Sequence, residues 1–193
     1  CVGRLGVGLD NIDLNACKQQ NIAVYPALGA NSHSVAEYVI CTSMLLLRKA
    51  YFKKNEMIAG NWPRQESSGS EVYGKTLGFI GFGDIARKTR DLAIGLGINT
   101  VAYDPYLNEK EIDDVEIHAL NKVLKDSNII SLHLPLTEQT NHIIDTEQFD
   151  LMNKDTIIIN VSRGGLINEE ALIENLNNGK IRGAGLDVIE SST

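Results

Sequence analysis

A chain of 193 residues with 43% hydrophobic and 22% charged residues has the composition of an ordinary globular protein, long enough for one domain and part of a second. Its formal net charge of −7 and pI near 5.1 argue against nucleic acid or an anionic membrane surface as a partner. A phosphate or carboxylate ligand is compatible with that charge, because backbone amides and a single Arg hold an anion locally. Cys1, Cys17 and Cys41 form an odd set without disulfide or zinc spacing, so they read as reduced thiols in the cytoplasm, and no metal site is expected. Nothing resembles a secretory signal, and the longest apolar stretch, YVICTSMLLL, is about half a membrane span. The chain opens on Cys1, not Met, and reads as a piece of a longer protein.

Residues 1–32 hold short apolar pieces and several glycines, too little for a core of their own. They are predicted to be the tail of a second domain, leaving 33–193 as the main one. SHSVAEYVICTSMLLLRKAYFKK, residues 32–54, predicts one long helix, apolar nearly all round at first and basic at its end. Ser34 and Glu37 are spaced as a capping box at its start. The stretch 59–75, AGNWPRQESSGSEVYGK, is polar and Gly/Ser-rich and predicts a connector or arm.

From Leu77 onward, short apolar runs alternate with amphipathic stretches: LGFI, IARKTRDLAIGLG, TVAYD, VEIHA, LNKVLKDS, NIISLHL, DTEQFDLM, TIIINV, NEEALIENLNNGK and GAGLDV. Strand and helix in strict alternation, with β-branched strands, predict βαβ units and a Rossmann-type, doubly wound parallel α/β sheet covered on both faces. Asn168 is the expected N-cap of the helix from Glu169, and Gly179 lies just past its end.

Two features carry chemistry. In LGFIGFGDIARKTR, Gly81, Gly83 and Ala86 form G-x-G-x-x-A between a strand and a helix. Such a loop turns tightly at the first glycine, lets backbone approach a pyrophosphate at the second, and packs closely at the third position. The next strand ends in Asp104, 23 residues after Gly81. An acid there accepts both ribose hydroxyls and repels a 2′-phosphate, so NAD is the expected cofactor. Asp104 also suits a turn before Pro105, and Asp84 is an awkward neighbour for a pyrophosphate. The second feature is Arg163, a charge set at the end of the aliphatic run TIIINV. The bland reading is a surface ion pair or a cap on helix carbonyls. The sharp one is a fork for a substrate carboxylate at the carboxyl end of the sheet, where ligands of such folds bind, with Gly164 and Gly165 admitting substrate.

The ordered motifs GVGLDNID, GANSHSVAEYVI, GKTLGFIGFGDIA, AYDP, LHLPLTEQTNHII, NVSRGGLIN and GAGLDV resemble those of the NAD-dependent D-isomer-specific 2-hydroxyacid dehydrogenases, over essentially the whole chain. The resemblance implies hydride transfer between nicotinamide and C2 of a small anionic 2-hydroxy or 2-oxo acid of phosphoglycerate, glycerate, lactate or sulfolactate type. It makes residues 1–32 a remnant of a flavodoxin-like substrate domain, and residues 33–74 the linking helix and arm of a homodimer. It makes Arg163 the catalytic arginine, with Gly6, Val7 and Gly8 holding the same carboxylate and Asn31 and Val35 facing the nicotinamide. Gly81, Gly83, Asp84 and Ile85 would meet the cofactor at the glycine loop, and Asp104 at the adenosine ribose. His133, Pro135 and Thr140 would line the adenine side, and Val161 and Asp187 would hold the nicotinamide and its carboxamide.

Two departures accompany that resemblance. The family's glutamate, 29 residues after the arginine, is Ser192 here, with Glu190 two positions early. Its acid/base histidine matches none of His33, His118, His133 or His142, of which His133 at a strand end fits least badly. The chain by itself is therefore expected to be inactive or nearly so. Ser192 also keeps open a non-catalytic, NAD-sensing interaction protein, as in corepressors of this fold; a bare cofactor-binding and dimerisation module is the third reading.

Overall fold

The computed structural model describes residues 1–107 and 111–190, so Ser192 lies outside the described residues. A small parallel sheet pairs β1 (Val2–Arg4) with β2 (Val24–Pro26) across α1 (Leu14–Gln19). Asp13 caps α1, its carboxylate accepting from the Ala16 amide at 2.8 Å. The chain then passes through α2 (Ser32–Leu47), a 3-10 turn (Lys49–Lys53) and α3 (Lys54–Ile58) into the larger sheet.

That sheet is built from β3 (Thr76–Ile80), β4 (Asn99–Tyr103), β5 (Glu111–Ile112), β6 (Val115–Ile117), β7 (Ile129–Leu132), β8 (Ile157–Asn160) and β9 (Gly183–Leu186). Its spatial order is β5-β6-β4-β3-β7-β8-β9, parallel at every pairing except β5 with β6. The six parallel strands have the order of a Rossmann sheet, with the reversal between β3 and β7. The covering helices are α4 (Asp84–Gly95), α5 (Leu120–Asp126), α6 (Thr146–Leu151) and α7 (Glu169–Asn177).

β7 and β8 are buried along their whole length, which is why they read as aliphatic runs without a wet side. Successive side chains go to opposite layers. Ile158 packs with Leu124, Phe149 and Leu172, on the side of α5, α6 and α7. Ile157 and Ile159 pack with Val39, Ala86 and Ala93, on the side of α2 and α4. Each buried isoleucine contributes roughly 1.5–3 kcal/mol relative to exposure. No helix among the described residues is long and apolar enough to cross a membrane.

Local signals worked unevenly. Asn168 caps α7, accepting from the Glu170 and Ala171 amides, and Gly179 follows its end at φ +63°. The proposed Ser34/Glu37 capping box does not form. The N-cap is Asn31, without a side-chain cap, and Ser34 lies inside the helix. Nor is residues 32–54 one helix: α2 stops at Leu47, where Arg48 turns extended. The Leu47 carbonyl, free for another helical turn, instead accepts from the Ser70 amide at 2.9 Å and from Arg182 Nη2 at 2.8 Å. The returning arm and β9's neighbour thus end the helix. The short β5 has no apolar run to announce it; it pairs with β6 through Asp113 and Asp114, both at positive φ, a turn conformation that Asp tolerates.

Candidate functional site

The glycine loop sits at the reversal point. Gly81 has φ +91°, and a Cβ there would lie 2.7 Å from the His133 carbonyl oxygen, so the backbone demands glycine. At Gly83, the N-cap of α4, a Cβ would meet nothing within 4 Å, so this face of the loop is open to a ligand. Ala86 is buried one turn on, against the sheet. Asp104, at the end of β4, accepts from the Phe82 amide and the Tyr106 amide, each at 2.9 Å. It therefore ties the loop to the neighbouring strand as well as starting the turn at Pro105. Asp84 is bonded by Ser32 Oγ at 2.5 Å and by Lys88 Nζ at 2.9 Å, and these partners hold its carboxyl below the usual carboxylate range. Lys88 offsets the charge that made Asp84 an awkward neighbour for a phosphate. An open face, a helix N-terminus and an acid at the end of β4 fit a dinucleotide.

Arg163 follows β8. Buried Asn160 clips the turn that carries it, donating from Nδ2 to the Arg163 carbonyl at 2.7 Å and accepting from the Ser162 amide at 3.0 Å. Ser162 Oγ donates to the Leu132 carbonyl at 2.8 Å, fixing the same turn to β7. The guanidinium reaches across to the first loop: Nε and Nη2 lie 2.9 and 2.7 Å from Asp10 Oδ2, and Nη1 donates to the Ser162 carbonyl at 2.7 Å. It rests directly on Gly8, where a Cβ would be 1.8 Å from Nη2. The two glycines after Arg163, expected to admit substrate, serve the chain's own packing. A Cβ on Gly164 would be 2.1 Å from the Ile189 carbonyl oxygen, and Gly165 is held at φ +77°.

A cleft of about 490 Å³ runs between the two parts of the chain. Val7, Gly8 and Asp10 come from the first loop, Asn31 and Val35 from the start of α2, Ile85 from α4, His133 and Pro135 from beyond β7, and Val161 and Arg163 from beyond β8. A second opening, of about 440 Å³, shares Val7 and Ile85 and runs past Ser32, Asp84 and Lys88. Gly6, Thr140 and Asp187 are outside these walls. Gly6 sits beside the Arg4 guanidinium at φ +135°. Thr140 Oγ1 donates to the Pro135 carbonyl at 2.7 Å and so buttresses the cleft wall from behind. Asp187 donates its amide to the Asn160 carbonyl at 3.0 Å, beside the Arg163 turn.

Asp10, Asn160 and Ser32 were missed in the sequence. Asn160 carried a signal, a lone amide closing an apolar run, since such a buried group must find partners. Asp10 lay within GVGLDNID, where nothing local sets its carboxylate apart.

Of the histidines, His133 lines the cleft while its Nδ1 is sealed without a partner, and Nε2 is 2.8 Å from Ser131 Oγ. Burial pushes its pKa down to about 3, so it stays neutral at physiological pH and cannot donate a proton as an imidazolium. His118 pairs with Glu116 at 2.8 Å, and His142 lies 3.5 Å from Glu190, whose amide donates to Glu169 at 2.5 Å. His33, in the first turn of α2, is exposed. Among the described residues no three His, Cys, Asp or Glu side chains converge on a metal position.

Residues 40–193 match the family model for the D-isomer specific 2-hydroxyacid dehydrogenase, NAD binding domain. The chain is 45% identical over 192 residues to the (S)-sulfolactate dehydrogenase of Chromohalobacter salexigens, covering 98% of this chain and 62% of that protein. It is 42% identical over 192 residues to the D-3-phosphoglycerate dehydrogenase of Methanocaldococcus jannaschii, covering 98% and 37%. The D-lactate dehydrogenase of Lactobacillus jensenii, solved with NAD+, superposes with a TM-score of 0.84 at 33% identity, covering 95% of this chain and 56% of that one. The chain thus spans less than two thirds of each of these relatives.

Proposed function

Because this chain belongs to the D-isomer specific 2-hydroxyacid dehydrogenase family, with the family's NAD-binding domain over residues 40–193, we propose that the whole protein interconverts a small 2-oxo acid and its 2-hydroxy acid. The observation that carries this reading is Arg163, clipped at the carboxyl end of β8 and facing the Gly8 loop across a cleft that also reaches the α4 N-terminus. Bound NAD would accept or supply the hydride at C2 of the substrate. The Gly81–Gly83 loop and the amides of Asp84 and Ile85 would hold its pyrophosphate, and Asp104, which orders that loop, would face the adenosine ribose. Val161 would support the nicotinamide from the cleft wall, with Asp187, bonded to Asn160 beside the Arg163 turn, held behind it; Asn31 and Val35 would lie opposite, and His133 and Pro135, buttressed by Thr140, would shape the wall beyond β7. Arg163 clamps the substrate carboxylate and draws electron density from the carbonyl, while the amides of Gly6 to Gly8 approach the same carboxylate from the other side. Neutral His133 shapes the cleft and does not exchange the proton that accompanies the hydride.

Residues 1–32 form the near edge of a substrate domain in this reading. The relatives support a small 2-hydroxy or 2-oxo acid as substrate, of sulfolactate, phosphoglycerate, glycerate or lactate type. Tyr51, Phe52, Ile58 and Trp62 are exposed along the 3-10 turn, α3 and the arm, with Trp62 75% accessible, which supports pairing of two copies there. The reduced thiols support a cytoplasmic location.

The test uses the full-length gene product with NADH and a panel of 2-oxo acids. Arg163→Lys should keep NADH binding but lose most turnover on the best substrate, since Lys cannot reproduce the planar fork. An unchanged kcat/KM in that variant overturns the assignment.

A further inference from the structure

Two of Arg163's five N–H donors make hydrogen bonds within this structure: Nε–H to Asp10 Oδ2 at 2.9 Å and one N–H of Nη1 to the Ser162 carbonyl at 2.7 Å, while Nη2 lies 2.7 Å from the same Asp10 oxygen as an ion pair. Asp10 sits at the side edge that Nε shares with Nη2, so the distal edge formed by Nη1 and Nη2 faces away from it, and the parallel donors of that edge match the two oxygens of a carboxylate. Asp10 comes from the first loop and Arg163 from the end of β8, so the contact also spans the cleft. Gly8, from the same loop as Asp10, supplies the floor beneath the guanidinium.

We propose that Asp10 is a positioning residue for Arg163: it holds one edge of the guanidinium so that the distal edge is presented to the substrate carboxylate. This rests on the reading of Arg163 given above. Asp10 touches neither the reacting carbon nor the carbonyl and works through Arg163. With side chains 39% and 70% exposed, the pair adds little to stability, so its effect is on orientation and not on folding. The guanidinium also holds the Asp10 carboxyl below the usual carboxylate range, so the contact persists through neutral pH.

The full-length protein tests this with two readouts: kcat/KM on its best 2-oxo acid, and binding of oxalate to the NADH complex by fluorescence. Asp10→Ala should lower kcat/KM roughly 10- to 100-fold, the loss expected when a catalytic group drifts by about an ångström. It should weaken oxalate binding and leave NADH affinity and the thermal midpoint unchanged. Asp10→Asn, which keeps an oxygen acceptor, should recover most of the loss. In an Arg163→Lys background Asp10→Ala should weaken oxalate binding no further, because the two residues act as one unit. Tighter oxalate binding in Asp10→Ala means that Asp10 competes with the substrate for the fork, and overturns the proposal. So does an equal loss with Lys at 163, or an Asp10→Ala enzyme that matches wild type. Wild-type behaviour of Asp10→Ala beside an inactive Arg163→Lys overturns this inference alone, whereas a fully active Arg163→Lys removes the reading beneath it.

Discussion

Gly8→Ala tests whether the first loop and Arg163 meet as the structure places them. No backbone strain is involved, because Gly8 is outside the positive-φ set. The added methyl would lie 1.8 Å from Arg163 Nη2, 2.9 Å from Asp10 Oδ2 and 3.0 Å from Arg163 Cζ. Ordinary contact with a carbon begins near 3.4–3.5 Å, so the guanidinium must retreat by about 1.6 Å or the loop must move the same distance. Arg163 is at a flexible side chain's far end, so folding should suffer by less than about 1 kcal/mol. Catalysis should suffer far more, since a misplacement of about 1 Å costs on the order of 100-fold. The assay is steady-state NADH oxidation by the full-length enzyme, with NADH affinity measured by fluorescence and stability by urea unfolding. The expected result is a drop in kcat/KM of about 100-fold with cofactor binding intact. A variant within threefold of wild type, equally stable, would show that Arg163 does not work from its place above Gly8.

Two further outcomes concern the cofactor side of the cleft. Gly81→Ala combines a φ of +91° with a contact of 2.7 Å to a backbone oxygen that cannot swing away. It should destabilise the fold by roughly 1–3 kcal/mol and weaken NADH binding; unchanged urea and NADH titrations would contradict the loop geometry. His133 binds a proton near pH 6.5 when unfolded but only near about 3 when folded. Stability linked to it is therefore complete above pH 6.5 and is lost as the pH falls toward 3. Between pH 6.5 and 5 the loss is about 2 kcal/mol. His133→Gln should flatten that part of the stability profile, and an identical acid loss in the variant would place the proton uptake elsewhere.

Periodicity made most of the large sheet legible, because strands buried on both faces must be aliphatic throughout and the helices between them must have one apolar side. The glycine fingerprint was legible for a related reason. Gly81 answers to a local backbone requirement, and the His133 carbonyl that enforces it lies at the end of the adjacent strand in the same register. Asn168 and Gly179 behaved as their types prescribe, since nothing else competed for those helix ends. The start and end of α2 did not. Ser32, just after the Asn31 cap, is turned to Asp84, and Leu47 gives its carbonyl to Ser70 and Arg182, partners 23 and 135 residues along the chain. β5 was equally hidden, because two residues pair only once Asp113 and Asp114 have turned the chain.

By itself the sequence determined that this chain alternates strand and helix, carries a dinucleotide loop, and ends an aliphatic strand in Arg163, since each is a matter of local pattern and residue chemistry. Only the tertiary structure decided what Arg163 meets. Asp10 stands 153 residues earlier, and its oxygen takes one edge of the guanidinium while Gly8 leaves room beneath it. The physical reason is that a hydrogen-bonding fork has no preferred partner along the chain; direction and distance assign one, and both are set by how the first loop packs across the end of the sheet.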